Sequence, residues 1–391
     1  MVTVSEAKKL ILENCVTSKI ELMKLKEAAG YVLAESVKSL SDSPPFDQSA
    51  MDGYAFAFES VRDQKTLNVK GEIQAGSFST DILKTGETVR IFTGAPLPPG
   101  ADTVVMQEKI LSANNSITIN DEQLIKGRNV RKKGSQTKKG ETVVEKGQLL
   151  TPAGISFLAG LGISEVKVFS NPSISIIVTG KELTVPGNEL SGGKIFESNS
   201  YGLVAGINQI GISNVSMETV DDNEAEIINS VTGKLQSDII ILTGGVSVGD
   251  YDLVPFALEK CGVKKIFHKV RQKPGKPFYF GKLNETLVFA LPGNPAAVMS
   301  CFYEFIVPAV SKYTLKNYFR KLTLPLAEDY HKKSGLTFFL KGKTEDQSVA
   351  ILKNQESYMM NSFAVADCLV EIEEEIEFIK KGDPVNVSMI I

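Results

Sequence analysis

Residues Asp238 to Asp252 read D-I-I-I-L-T-G-G-V-S-V-G-D-Y-D. Ile239 to Leu242 is an unbroken apolar run, the pattern of a strand buried on both faces, and the glycines after it form a turn before a helix that begins near Asp252. In such a turn, glycine lets backbone N–H groups approach an anion closely, and the helix start adds the positive end of its dipole. No G-K-[ST] follows, so this is not a Walker loop. Taken alone, the segment reads better as a plain strand-to-helix connection capped by Asp250, a common feature of α/β proteins. Asp250 and Asp252 add what a plain turn does not need: carboxylates beside a phosphate cradle are the usual hard-oxygen ligands for Mg²⁺ on a nucleotide.

On either side of this stretch, strand-like and helix-like segments alternate from Ser173 to about Tyr313. The strands are Ile174 to Val178, Val215 to Val220, Asp238 to Leu242, Lys265 to Val270 and Leu287 to Ala290, and helices start near Ser200, Glu224, Asp252 and Pro295. This alternation predicts a doubly wound, largely parallel sheet with ligands beyond the carboxyl ends of its strands. A second strand-to-helix turn, Leu291-Pro292-Gly293-Asn294-Pro295, has Asn294 as N-cap and Pro295 at the first helical position, which leaves Pro292-Gly293 without a structural reason. Lys273-Pro274-Gly275-Lys276-Pro277 is a stiff loop presenting two lysines. Each loop alone reads as an ordinary turn, but three in one α/β region favour an anion pocket.

The flanking regions have other textures. Near the start, Thr3 and Glu6 form a capping box, Ala7, Leu10 and Ile11 recur at helical spacing, and a second helical segment from Glu21 to Ala29 stops at Gly30. From Phe46 to about Gly147, short strand-like runs separated by Gly, Pro and Asn predict a β-rich insertion. A helix over Thr151 to Leu161 and a strand over Glu165 to Phe169 are expected to return to the first two helices. Leu322 to Ile391 suits a small β-barrel. The expected division is therefore a discontinuous helical domain (1–45 and 148–172), a β-rich insertion (46–147), the α/β domain (173–318) and the barrel (319–391).

Composition narrows the chemistry. With 43 Lys and Arg against 46 Asp and Glu, the net charge is −3, so no global positive field draws the chain to nucleic acid or anionic lipid. Seven cations between Lys126 and Lys139 lack interleaved aromatics and read as a solvated face. The four cysteines form no C-x-x-C pair and no disulfide framework, and no apolar stretch nears the roughly 18 residues of a membrane span; with no signal peptide read at the start, a cytoplasmic location is expected. The two histidines, His268 and His331, are too few for histidine-rich zinc sites, and His268 sits in an apolar strand. Carboxylates, lysines and backbone amides remain, equipment for phosphate or oxyanion transfer assisted by Mg²⁺.

Two further loops lie in the insertion: Pro44 to Ala55, with Asp52 before an apolar strand, and Thr93 to Asp102. Phe46 to Ala55 (F-D-Q-S-A-M-D-G-Y-A), Phe92 to Glu108, Thr179 to Leu183 (T-G-K-E-L), Thr243 to Asp252, Lys273 to Phe278 and Leu291 to Pro295 resemble, in this order, the motifs of the molybdopterin molybdenumtransferases, the family that includes the E domain of gephyrin. The resemblance spans nearly the whole chain. It implies an α/β domain of the molybdopterin-binding type and an elongated homodimer of four-domain subunits, whose cleft lies between the α/β domain of one subunit and the insertion of the other. The substrates implied are adenylylated molybdopterin and molybdate, with Mg²⁺-dependent release of AMP as molybdenum cofactor forms. The preceding adenylyltransferase and recipient molybdoenzymes are implied as possible partners, with no nucleic acid and no membrane.

Carried over by motif, Asp52, Thr93, Glu182, Asp221 and Asp252 take catalytic positions and Asp250 joins Asp252 as metal ligand. Substrate binding falls to Arg131, Thr243, Gly244, Gly245, Ser247, Gly249, Lys273, Lys276, Pro292, Gly293 and Pro295. Two departures remove negative charge: Gln136 and Lys181 stand where the family often has acidic residues. Two alternatives remain open on the sequence. One is a cofactor carrier with little turnover. The other is the adenylyltransferase of the preceding step, against which Val246 to Asp252 lacks the expected T-G followed by R-D.

Overall fold

The computed structural model describes residues 1–16, 18–62, 64–246, 253–318 and 320–390. They form two compact units, one comprising Met1–Glu21, Gly30–Val32 and Phe169–Ile391, the other Leu22–Ala29 and Leu33–Val168.

The first unit is built on a six-stranded sheet of β1 (Ile174–Thr179), β2 (Val215–Val220), β3 (Ile239–Thr243), β4 (Lys264–His268), β5 (Tyr279–Leu283) and β6 (Thr286–Leu291), in the order β2-β1-β3-β6-β5-β4. Pairing is parallel from β2 through β6, and β5 and β4 add an antiparallel edge. Every residue of β1, β3 and β6 is buried, including Ser175 of β1, whose hydroxyl bonds those of Ser216 and Ser237 at 2.8 and 2.7 Å. Successive side chains divide between two cores. Ile176, Val178, Ile239, Ile241 and Phe289 pack with Leu203 and Phe302 on one face, while Ile177, Ile240, Leu242 and Val288 pack with Ile227, Val231 and Leu258 on the other. The chain leaves β1 for β2 on one side and returns to β3 on the other, so the strand order reverses at β1 and β3 and opens a crevice beyond their carboxyl ends.

The helix Val4–Asn14 carries the expected capping box: Thr3 Oγ1 accepts from the Glu6 N–H and Glu6 accepts from the Thr3 N–H. Its apolar stripe, Val4, Ala7 and Ile11, enters the first of the two sheet cores. The expected second helix is absent. Ile20–Lys24 is a strand and Leu25–Glu27 a single 3₁₀ turn, because the buried pair Leu25 and Ala28, three residues apart, needs only one turn to point both side chains inward.

In the second unit a six-stranded sheet runs Thr103–Met106, Gly53–Phe56, Glu87–Ile91, Thr66–Ile73, Ser116–Ile119, Ile110–Ala113. The helix Pro152–Gly160 starts where Thr151 Oγ1 accepts the Gly154 N–H, with Pro152 at the first helical position.

The last segment closes on itself. Thr337–Glu345 pairs with both Ser348–Ile351 and Cys368–Ile372, Cys368–Ile372 with Pro384–Met389, and Pro384–Met389 with Lys321–Pro325. A bridge between Leu326 and Val349 joins the two ends of this path and makes a small barrel around Leu340, Val349, Val370 and Val387. Among the described residues no helix is long and apolar enough to cross a membrane.

Candidate functional site

Beyond Thr179, Thr243 and Leu291, the carboxyl ends of β1, β3 and β6, lies a cleft of about 540 Å³. Glu182, Thr243, Gly244, Gly245, Pro292, Gly293 and Pro295 line it, so these sequence-predicted residues converge on one cavity. The two turns abut: a Cβ built on Gly293 would lie 3.9 Å from the Gly244 Cα, an ordinary contact, so packing does not by itself require glycine at 293. Gly244 has φ +93°, and a Cβ there would stand 2.3 Å from the carbonyl oxygen of Thr179. The turn therefore passes against β1 at a distance that only glycine permits.

Polar groups in the cleft are unevenly satisfied. Thr243 Oγ1 and Asn199 Oδ1 are buried and have no hydrogen-bond partner among the described residues, while Asn199 Nδ2 donates to the Gly293 carbonyl at 2.9 Å. Such orphaned acceptors call for a ligand or ordered water. Glu197 is committed elsewhere, its carboxylate accepting the Ser200 N–H at 2.9 Å and the Ser200 hydroxyl at 2.6 Å at the start of the helix Asn199–Gln209. His268 has the structural role expected of it, its Nε2 lying 3.2 Å from the Val246 carbonyl at the end of the glycine turn.

Several predicted residues lie elsewhere. Asp222, not Asp221, reaches the cleft, and the Asp221 N–H is bound by the Glu226 carboxylate at 3.0 Å. Neither Lys273 nor Lys276 lines the cavity. Lys273 sits on a short strand paired with Thr337–Glu345, with its ammonium 5.5 Å from the centre of the Phe338 ring, and Pro277 is the residue of that loop at the cleft. Asn294 precedes its helix without a side-chain cap bond, and its Nδ2 donates to Ser357 Oγ at 2.9 Å. Ser247, Gly249, Asp250 and Asp252 fall outside the described residues.

The other unit holds a second predicted group. Asp52 Oδ1 accepts from both the backbone N–H and the hydroxyl of Thr93, each at 2.8 Å. These donors, the backbone one foremost, with the charge of Arg90 assisting against a small desolvation penalty, hold the exposed Asp52 carboxyl below the usual carboxylate range. Arg131 is exposed on a two-residue strand facing Gln48, and Gln136 accepts the Ser43 hydroxyl at 3.2 Å.

Sequence reasoning missed Asp222, Glu197, Asn199 and Tyr358, all of which line the cleft. Glu197-Ser198-Asn199-Ser200 carried a signal as a polar cluster ahead of a helix, but Tyr358 carried none.

Comparison with known proteins agrees along the whole length. Residues 2–162 match the MoeA N-terminal region (domain I and II), 175–312 the family described as "Probable molybdopterin binding domain", and 323–390 the MoeA C-terminal region (domain IV). The molybdopterin molybdenumtransferase of Haemophilus influenzae is 33% identical, covering 99% of this chain and 98% of that protein. The corresponding Nostoc protein is 38% identical, over 75% of this chain and 69% of its own. A crystal structure of a molybdopterin biosynthesis MoeA protein from Pyrococcus horikosii superposes with a TM-score of 0.87 at 29% identity, covering 100% of this chain and 99% of that one. With all three regions present in order and relatives matched end to end, the chain belongs to the molybdopterin molybdenumtransferase family and is an enzyme of molybdenum cofactor biosynthesis.

Proposed function

We propose that this enzyme inserts molybdate into adenylylated molybdopterin with Mg²⁺-dependent release of AMP, and that it acts as a homodimer. The observation that carries this reading is the cleft at the strand-order reversal, where two glycine turns abut and the Thr243 hydroxyl and Asn199 amide oxygen have no partner among the described residues. The Gly244 N–H is donated to the Leu291 carbonyl at 3.2 Å, so what the turn offers a phosphate is close approach to the backbone at Gly245, and the two unpartnered acceptors suit donors on the ligand.

The donor set also fits Mg²⁺. Among the described residues no group of three or more His, Cys, Asp and Glu could hold a metal, but Mg²⁺ is usually held by one or two carboxylates together with substrate phosphates. Glu182 and Asp222 offer carboxylates at the cleft, and Asp250 and Asp252 are the further oxygen ligands proposed from the sequence. Bound there, Mg²⁺ would neutralise charge on the phosphates as the adenylate is cleaved. Asp52, kept ionised by Thr93, supplies a fixed negative charge and a proton acceptor.

Purified protein incubated with adenylylated molybdopterin, Mg²⁺ and molybdate should release AMP, and omitting either Mg²⁺ or molybdate should stop it. Pterin binding without AMP would identify a carrier, and consumption of ATP with free molybdopterin would identify the adenylyltransferase. Sedimentation at micromolar concentration should give twice the chain mass.

A pH profile tests Asp52. Thr93→Val removes one of two donors to its carboxylate, so its depressed pKa should rise toward the ordinary value. Because the ionised form is the working one, the acid limb of kcat/KM should move to higher pH while the rate on the alkaline side falls by less than about tenfold. An unmoved acid limb would remove Asp52 from the chemistry.

A further inference from the structure

Lys341 lies in the barrel strand Thr337–Glu345 and is 2% exposed. Its ammonium donates to three backbone carbonyls of one loop: Asn354 at 2.7 Å, Met359 at 3.0 Å and Glu356 at 3.3 Å. A buried lysine is expensive, and one whose three donors all go to a single loop fixes that loop's path. The loop is held at other points as well. Gln355 accepts the Lys341 N–H and donates to the carbonyls of Lys341 and Leu352, while Ser357 accepts from Asn294 through its hydroxyl and from the Ala296 N–H through its carbonyl. Between these anchors stands Tyr358, which lines the cleft yet is 63% exposed. A large aromatic ring left open to water at the mouth of a ligand cavity, on a loop tied down on both sides of it, is equipped to receive a planar ring.

We propose that Lys341 is a positioning residue that fixes the loop Asn354–Met359, so that the ring of Tyr358 stacks on the planar heteroaromatic part of the ligand in the cleft. This rests on the reading that the cleft takes a pterin nucleotide. Stacking needs a π-face and not a hydroxyl, so it distinguishes phenylalanine from alanine at this position.

The test is steady-state kinetics with adenylylated molybdopterin, molybdate and Mg²⁺, together with direct binding of AMP alone. Tyr358→Ala should raise KM roughly five- to fiftyfold, with kcat changed less, and Tyr358→Phe should stay near wild type. Lys341→Met should raise KM in the same direction, and the double variant should be no worse than Tyr358→Ala, because the lysine acts through the tyrosine. Gln355→Ala releases the same loop from a different anchor and carries the test if Lys341→Met does not fold. Weaker AMP binding by Tyr358→Ala would identify adenine as the stacked ring; unchanged AMP binding with a raised KM for the full substrate would identify the pterin. An unaltered KM in Tyr358→Ala overturns the proposal, and so do effects of Lys341→Met and Tyr358→Ala that multiply. Wild-type protein that neither binds nor turns over the pterin nucleotide overturns the underlying reading itself, an outcome separate from those of the variants.

Discussion

Lys8→Met will destabilise the α/β unit by about 3–5 kcal/mol, the cost of stranding a buried charge without its partner. Lys8 projects from the first helix with 20% of its side chain exposed and bonds Glu304 at 2.7 Å and Glu371 at 3.1 Å. Glu304 is fully buried, and its other oxygen has no partner among the described residues, so Lys8 is the counter-charge that makes its ionised form tolerable. Rings of Phe305 and Phe339 lie 5.9 and 5.1 Å from the same ammonium. Burial works to lower the Lys8 pKa, but attraction to Glu304 and Glu371 outweighs it, and the net direction is up. A raised folded-state pKa means that this contribution is complete below the unfolded value of about 10.4 and fades as pH rises through the folded one. Urea unfolding at pH 9, where Lys8 is still charged folded and unfolded, should show the full gap between Lys8→Met and wild type. Adding Glu304→Leu to Lys8→Met should recover much of the loss. A gap under about 1 kcal/mol would mean that Glu304 is relieved by some other route.

Gly244→Ala should cost about 2–5 kcal/mol, from left-handed backbone strain of roughly 1–2 and overpacking of roughly 1–3, and should abolish AMP release. The methyl group would meet the Thr179 carbonyl oxygen at 2.3 Å and its hydroxyl at 2.8 Å. A backbone carbonyl inside a fully buried strand has no rotamer by which to move aside, so β1 and β3 must separate at the ends where the cleft opens. Gly162→Ala is the control. Its φ of +83° is similar, but nothing lies within 4 Å of the added methyl, so only the strain component should appear and turnover should survive. Equal behaviour of the two variants in thermal unfolding and AMP release would show that the close approach at Gly244 does not shape the cleft.

The parts legible in the sequence were those set by neighbours along the chain. The unbroken apolar run Ile239 to Leu242 identified β3 as a strand buried on both faces, since a charged residue there would lie in one core or the other. Thr3 with Glu6 marked a helix start because a cap acts within three residues. Glycine-rich turns after β3 and β6 located the cleft, because a parallel sheet has to place such turns at the same end.

Elsewhere local pattern was insufficient. Leu25 and Ala28 have helical spacing, and a single 3₁₀ turn satisfies it as well as a helix does. Asp221 and Asp222 are indistinguishable in sequence, and the direction of the chain leaving β2 brings Asp222 to the cavity. Lys273 reads as a pocket cation, but strand pairing with the barrel lays it over Phe338.

The sequence by itself determined the doubly buried strand β3, the Thr3–Glu6 capping box and the glycine turns, all of which depend on residues a few positions apart. Tertiary structure alone decided which distant groups meet: Lys8 with Glu371 across 363 positions, Asn294 with Ser357 across 63, and the barrel loop that brings Tyr358 to a cleft made by other strands. A periodic pattern tells which way a side chain faces. What it faces is fixed by the packing of elements far apart in the chain, and a one-residue change in register would exchange every partner.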